Sequence, residues 1–589
     1  MYYISSRVAD SAAMNALALR RGERGRERGA FEMFTPFLTN AGRAVPSPRP
    51  SPHSCVLGRE RSRNSPPVFP VLLSFLPIQL CSSLLWLFAA LAASALRAGD
   101  WPQYRGPNHD GVSTETIRTN WSEEAPRLVW KVPLELAFSS FAVSGGKAFT
   151  QVKRAVGGQD KEFCVALNAD TGDEIWATLL SNDNAVYDYG AGSDDGPRST
   201  PTVDGDRVFV LTSYLKLFCL NAANGEEIWS KDLVAAYGGT VITWQSAASP
   251  LIDGDLIFMN CNGPNQRLLA LQKLDGSEAW KGQDDPMTQA TPVAATIAGV
   301  RQIVFFAQSG LVSVVPANGT VLWRYPFSYS TSTAASPVVG DDLVYCSAAY
   351  GSGSGAVRIT GSGTQLTASQ VWRVPGGNMN HWATPVHYNG FLYGIYGQSF
   401  VTLRCIDLAT GAEKWTQSGF GYGSVLLVNG MVLALSESGA LVLVEPNPSA
   451  YTEIARYQAL DGSLSSVPGL PVKCWNVPAI SNGRIYARST SEAVCLEVGV
   501  AAPPPLKLLS TLTSGTSLFQ LLIGNADGSP LDTNRAANID VFASTDLTLG
   551  LSGWIKLNSS TTLTNGRLSL DDPQSPATAQ RFFRVEERP

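Results

Sequence analysis

A short unit of sequence recurs eight times along the middle of the chain, and few folds are open to a chain built this way. Each copy opens on Ser or Thr, usually followed by Pro and an apolar strand: Thr200-Pro201, Ser249-Pro250, Thr291-Pro292, Ser336-Pro337 and Thr384-Pro385. Val477-Pro478 opens a copy without the hydroxyl, and Ser140 and Ser424 open copies without the Pro. Successive openings stand 40–60 residues apart. A polar turn follows (Asp204-Gly205-Asp206, Asp253-Gly254-Asp255 or Asn482-Gly483), then a second strand such as Val208-Phe209-Val210. A third strand, for instance Leu217-Phe218-Cys219-Leu220, leads to a tight turn such as Asn224-Gly225 or Asp275-Gly276. The fourth strand carries Trp176, Trp229, Trp280, Trp323, Trp372 or Trp415.

Four short strands joined by Asx-Gly turns make a meander. A period of this length with one Trp per unit predicts an all-β, eight-bladed β-propeller of four-stranded blades. Proline suits the start of an innermost strand, where its missing N–H costs no ladder bond. The Trp series recurs at one position and is read as packing between neighbouring blades. The eighth unit stops after Val494-Cys495-Leu496, while a spare fourth-type strand, Leu128-Val129-Trp130-Lys131-Val132, precedes the first. That N-terminal strand is expected to close the last blade, which removes two exposed sheet edges at once. The seventh unit offers Ala455-Arg456-Tyr457 in place of its Trp.

The flanks read differently. Residues 1–65 carry eleven Arg against five acids, and Pro46-Ser47-Pro48-Arg49-Pro50-Ser51-Pro52 is low in complexity. Residues 1–68 are therefore read as a disordered basic extension, or a spurious one from an upstream start. Residues 69–98 are an acid-free apolar run behind Arg59, Arg61 and Arg63, ending in Ala93-Ser94-Ala95 and Ala98. This is the pattern of a signal peptide, or of an N-terminal anchor if uncleaved, and it places the protein outside the cytoplasm, in the periplasm or at the cell surface. Residues 99–500 hold the propeller. Ala501-Ala502-Pro503-Pro504-Pro505 begins a linker, and Phe519-Gln520-Leu521-Leu522-Ile523, Ile539-Asp540-Val541-Phe542, Trp554-Ile555-Lys556-Leu557 and Arg581-Phe582-Phe583-Arg584-Val585 predict a small C-terminal β-sandwich within 501–589. From Gly99 onward there are 32 basic and 44 acidic residues, a balance of −12 that argues against nucleic acid as a partner.

Chemistry-bearing residues are sparse. Cys219, Cys405 and Cys495 share one repeat position with Ala166 and Ala270, so a small buried residue is what that position requires, with a disulfide network as the rival. The four histidines, His53, His109, His381 and His387, show no metal-ligand spacing, and no metal site is expected. The loops ahead of the innermost strands exceed what a bare repeat needs. Arg198, Trp244, Gln245, His381, Trp382, Trp475 and Asn476 would converge on one mouth of the ring, as aromatic walls with a few polar groups for a planar or sugar-like ligand. Packing over the loops is the competing explanation of the same aromatics.

Asn168-Ala169-Asp170-Thr171-Gly172-Asp173-Glu174-Ile175-Trp176 and Asp407-Leu408-Ala409-Thr410-Gly411-Ala412-Glu413-Lys414-Trp415 resemble the pyrroloquinoline-quinone-like propeller repeat family. Asp100-Trp101-Pro102-Gln103-Tyr104-Arg105-Gly106-Pro107 is similar to the opening of exported bacterial propellers of this type. The resemblance implies one of two functions. Quinoprotein dehydrogenases hold pyrroloquinoline quinone with calcium on the propeller axis, beside a Trp and a vicinal disulfide. The propeller of the outer-membrane barrel assembly machinery binds no cofactor and acts as a scaffold. This chain has no adjacent cysteine pair and no Cys-x-x-Cys-His for an attached haem. The first reading is therefore a binding or scaffolding protein with an envelope protein partner or a small ligand at the axial mouth and no catalytic residue of its own. The alternative is a quinone-dependent dehydrogenase of a small alcohol or sugar.

Overall fold

A computed structural model describes residues 99–180, 196–327, 329, 331, 333–462, 472–500, 504–512, 519–546, 553–572 and 581–588. All of them lie in the second of the chain's two compact units, residues 83–589. The expected basic extension and export segment fall outside the described residues. Among the described residues no helix is long and apolar enough to cross a membrane.

The repeat folds as antiparallel meanders. In the second, Thr202–Asp204, Arg207–Leu211, Lys216–Asn221 and Glu227–Asp232 form a sheet in that spatial order. Eight such sheets form among the described residues between Val112 and Glu497, and they make a β-propeller. Six of the blades are built round one cross-strand triad; the fourth has Val304 in place of the aromatic, and the seventh holds Leu433, Leu443 and Ala455. In the six, an aromatic on the second strand faces a small residue on the third, which faces the Trp of the fourth: Phe209, Cys219 and Trp229 in one blade, Tyr393, Cys405 and Trp415 in another. The small residue lets the two rings approach across it, with centroids 6.0 Å apart in both cases. All seven described cysteines are buried and unbridged, so in these blades Cys serves as a small apolar filler and the disulfide alternative is not realised.

Two devices couple one blade to the next. At the rim, each Trp lies on the tight turn of the following blade. The indole Nε1–H of Trp372 donates to the Leu408 carbonyl at 2.7 Å, and that of Trp280 to the Pro316 carbonyl at 2.7 Å. The turn glycine has to be glycine: a Cβ on Gly411 would sit 2.6 Å from the Trp372 ring, and one on Gly319 2.5 Å from Trp280. Near the axis, the opening Ser or Thr of five repeats accepts a hydrogen bond from the preceding repeat. Ser140 N–H donates to Thr200 Oγ1 (3.1 Å), Thr200 N–H to Ser249 Oγ (2.9 Å), Ser249 N–H to Thr291 Oγ1 (3.0 Å) and Ser336 N–H to Thr384 Oγ1 (2.9 Å). The last repeat is joined to the first in the same way, Val477 N–H donating to Ser140 Oγ at 3.0 Å, whereas among the described residues Ser336 Oγ accepts no such bond and Ser424 Oγ donates to the Asn476 carbonyl.

Closure is completed at the rim. Arg127–Pro133 pairs antiparallel with Glu492–Glu497 as the fourth strand of the last blade, and Trp130 Nε1–H donates to the Ala169 carbonyl in the first. The fully buried Arg488 bridges the same junction, donating to Thr150 Oγ1, the Gln151 carbonyl and the Glu135 carbonyl. Two junctions depart from the pattern, and in the first of them the seventh blade has Ala455 where the others carry Trp. In the second, the fifth blade replaces its tight turn with a long hairpin, Gly353–Ser362 and Gln365–Val374, so Trp323 finds no turn to dock on. Its Nε1–H donates to Gln302 Oε1 of its own blade, and Ile359 and Leu366 of the hairpin cover it from outside.

Ahead of the closing strand, residues 99–118 run along the inner strands. Trp101 exchanges two backbone hydrogen bonds with Val143, Val203 N–H donates to the Pro102 carbonyl, and Leu427 N–H donates to the Gly111 carbonyl. Buried Arg105 donates to the Thr384 and Pro385 carbonyls. This strap therefore touches the first, second, sixth and seventh blades. Beyond the propeller, two sheets of four and three strands enclose a small core of Leu521, Ile523, Ile539, Val541, Leu568 and Leu570. They include the four expected C-terminal strands, the third of them reduced to Ile555–Lys556.

Candidate functional site

The loops that precede the inner strands surround an axial cavity of about 390 Å³. Its wall follows a simple rule. The residue two places before each repeat opening lines it: Phe138, Arg198, Ala247, Gln289, Ala334, Trp382, Tyr422 and Trp475. Blade packing does not fix this position, so it is free to vary. Four consecutive blades round the ring, the sixth, seventh, eighth and first, supply aromatics there. The other four supply Arg198, Gln289 and two alanines.

The aromatic half is a continuous stack. Trp475 lies between Phe138 (centroids 5.1 Å apart, 7° between planes) and Trp382 (4.3 Å, 18°). Tyr422 packs on both tryptophans, His381 on Trp382 at 4.1 Å, and Tyr350 edge-on to His381 at 4.9 Å. Trp475 is held by its Nε1–H donating to Glu437 Oε1 at 2.8 Å. Burial pushes the His381 imidazole down to about 4, so it is neutral at physiological pH. Lys473 Nζ stands 4.8 Å from the Trp475 ring and 5.5 Å from Phe138.

On the polar half, Arg198 NH1 donates to the Trp244 carbonyl at 3.0 Å, and Gln289 Nε2 donates to the Trp244 and Gln245 carbonyls. Those two residues share a turn with positive φ, +63° and +56°. Behind Arg198 lies the buried Glu162, both of whose oxygens accept from Ser213 N–H. Burial pushes this carboxyl up to about 7, against the pull of Ser213 and of Arg198.

Of the seven residues expected at the mouth, six line the cavity: Arg198, Trp244, His381, Trp382, Trp475 and Asn476. Gln245 does not. It is buried, and it stands four places before its repeat opening where the lining residue stands two. Asn476 is 2 % exposed and ties the ring, with Nδ2 donating to the Ser139 carbonyl. Phe138, Gln289, Tyr350, Tyr422 and Lys473 also belong to the lining. Gln289 and Tyr422 stand in the axial loops that the sequence marks, and the two-place spacing adds Phe138. Tyr104, from the strap, lines the cavity as well, and no repeat signal points to it.

Calcium takes six to eight oxygen ligands rich in carboxylate, and among the described residues no carboxylate lines the cavity, so the described lining by itself does not supply a calcium-supported quinone. Both faces of Trp475 are covered by other rings, which leaves no slot there for a sandwiched planar group.

The family model of outer membrane protein assembly factor BamB matches residues 159–417. BamB of Moranella endobia (strain PCIT) is 24% identical over 289 residues, which is 46% of this chain and 69% of that one. BamB of Yersinia pestis is 26% identical over 211 residues, 32% of this chain and 48% of that one, so the match spans less than half of that relative. Among solved structures, quinohemoprotein alcohol dehydrogenase from Comamonas testosteroni aligns with a TM-score of 0.51 at 12% identity, covering 72% of this chain and 84% of that one. That likeness is one of fold.

Proposed function

We propose that this chain, which belongs to the pyrroloquinoline-quinone-like propeller repeat family, is an exported binding or scaffolding propeller of the cell envelope whose axial mouth is the binding site. Residues 1–68 are then a dispensable extension, 69–98 the export segment, 99–500 the binding propeller and 501–589 an appended module. The similarity to outer membrane assembly factors supports an envelope setting and a protein partner. The observation that carries the reading is the pattern of the lining. Two places before each opening the repeat imposes nothing, and there the chain concentrates Phe138, Trp382, Tyr422 and Trp475 on one side of the axis.

Site-directed photo-crosslinking in the native envelope tests this. A photoreactive residue at Tyr350, on the rim, should give a discrete adduct, and one at the exposed Leu274, on a tight turn at the far end of the third blade, should give none. Equal labelling at both positions, or none at Tyr350, sinks the axial site. Dye reduction after reconstitution with pyrroloquinoline quinone and calcium would instead favour the dehydrogenase.

A further inference from the structure

The bonds of the strap mark one position in the repeat. In every blade the first two strands meet in a two-residue hairpin, and the residue before the closing pair turns its N–H and C=O away from the second strand, towards the axis. Val143, Val203 and Leu427 hold this position in the first, second and seventh blades, and Thr296, Val339 and His387 hold it in the fourth, fifth and sixth. Strap backbone pairs with the first three. Val143 exchanges two bonds with Trp101, Val203 N–H donates to the Pro102 carbonyl and Leu427 N–H to the Gly111 carbonyl, and all three residues are buried.

The other three face a second cavity, of about 410 Å³, between the strap and the inner strands of the fourth and fifth blades. Among the described residues no hydrogen bond from another element reaches their backbone N–H or C=O, and no wall residue bonds to anything beyond the described residues. Thr296 is exposed, and Val339 and His387 are half-buried. The cavity therefore presents three consecutive inner edges of the kind that the strap covers elsewhere.

Side chains of the wall say what such edges can take. Their charges are balanced within the protein. Arg301 pairs with Asp253, Arg105 donates to the Thr384, Pro385 and Asp110 carbonyls, and Asp110 Oδ1 accepts from Val112 N–H at 3.0 Å. Burial, helped by Arg301, pushes the His109 imidazole down to about 4, and burial also lowers His387, so both are neutral at physiological pH. Ala294, Ala295 and Val338 are small enough to let another main chain approach. What stays unmatched is main-chain hydrogen bonding, which an extended peptide supplies by adding to a strand edge.

We propose that this cavity docks an extended, uncharged segment of a partner polypeptide, which pairs with the inner edges of the fourth and fifth blades as the strap pairs with those of the first, second and seventh. The site is separate from the axial mouth, whose wall lies at or before the repeat openings.

Residue-resolved hydrogen exchange of the full chain, with and without the peptide acetyl-Ser-Val-Thr-Val-Ser-amide, tests it. In the free protein the Thr296 and Val339 amides should exchange about a hundredfold faster than those of Val203 and Leu427. Saturating peptide should slow Thr296 about tenfold, and the same peptide N-methylated at alternate residues should not. Lys or Asp in place of the central Thr of the peptide should weaken binding. Thr296→Pro removes the outward N–H without taking a ladder bond from the blade, and should weaken the peptide about fivefold. The proposal is overturned if Thr296 and Val339 are as protected as Val203 in the free chain, if the peptide leaves Thr296 unprotected, if the N-methylated peptide protects equally, or if a charged peptide binds more tightly. Should Thr296→Pro fail to fold, the exchange contrast and the N-methylated peptide still decide.

Discussion

Tryptophan is used in two ways in this molecule, and the contrast separates what holds the ring together from what the ring presents. At the rim, Trp130, Trp176, Trp280 and Trp372 are each locked against the next blade by an indole hydrogen bond and a glycine that allows contact. At the mouth, Trp382 and Trp475 stack on one another and on neighbouring rings, half-buried, with no glycine among the described residues pressed against them. The first set obeys the repeat and the second departs from it. Where a repeat protein stops repeating without loss of packing, the residues are released for another purpose.

The harshest way to break the comparison is to open the ring. Deleting residues 99–133 removes both the strap and the closing strand Arg127–Pro133. It should abolish a cooperative unfolding transition and drive aggregation through two exposed edges. An unchanged melting curve would mean that the ring closes elsewhere. Next in size, Trp372→Ala empties a buried site and should cost about 3–5 kcal/mol in a denaturant titration; Gly411→Val, which drives a branched side chain into the same ring, should fail in the same direction.

The mouth, unlike the rim, also harbours a buried acid. Because burial raises the Glu162 carboxyl to about 7, the folded state binds a proton that the unfolded chain releases near 4.5. Its contribution to stability is complete below pH 4.5 and is lost as pH rises through 7. Stability should therefore fall by about 2 kcal/mol between pH 5 and 8 on this account, and Glu162→Gln should flatten that slope. A slope unchanged in the variant would place the charge in water. Smallest of all, Trp382→Ala should cost about 1–2 kcal/mol, the worth of its ring contacts, while weakening any ligand at the mouth. A cost equal to that of Trp372→Ala would make the two kinds of tryptophan one.

What was legible in the sequence follows the same division. The meanders, the rim Trp series and the closing strand could be read because most blades solve one packing problem with the same residues. The service of the opening Ser and Thr as interblade acceptors was not read, since Pro alone already explained an inner-strand start. Phe138 is visible only by alignment on the repeat openings, which shows that it shares a position with Trp382, Tyr422 and Trp475. Tyr104 could not be found by any periodicity: it arrives from outside the repeat, on a strap held largely by backbone hydrogen bonds that encode no side-chain pattern. The fifth blade's hairpin hid the fate of Trp323 for a related reason, as the partner turn is missing and Gln302 substitutes from within the blade.

The pairing of Arg127–Pro133 with Glu492–Glu497 also sets a timetable. The strand that finishes the last blade is made first and has to wait for some 360 residues of chain before its partner exists. Until then it presents an unpaired edge, and Trp130 can lean on the first blade's turn without a sheet behind it. Loop-closure entropy rises only slowly with length, so the delay costs little at equilibrium, but it makes the final step a search by two chain ends for each other. A newly made molecule is consequently vulnerable for the whole of its synthesis. A holding factor that shields the waiting strand would act on maturation rate and yield, and leave the finished protein's stability untouched.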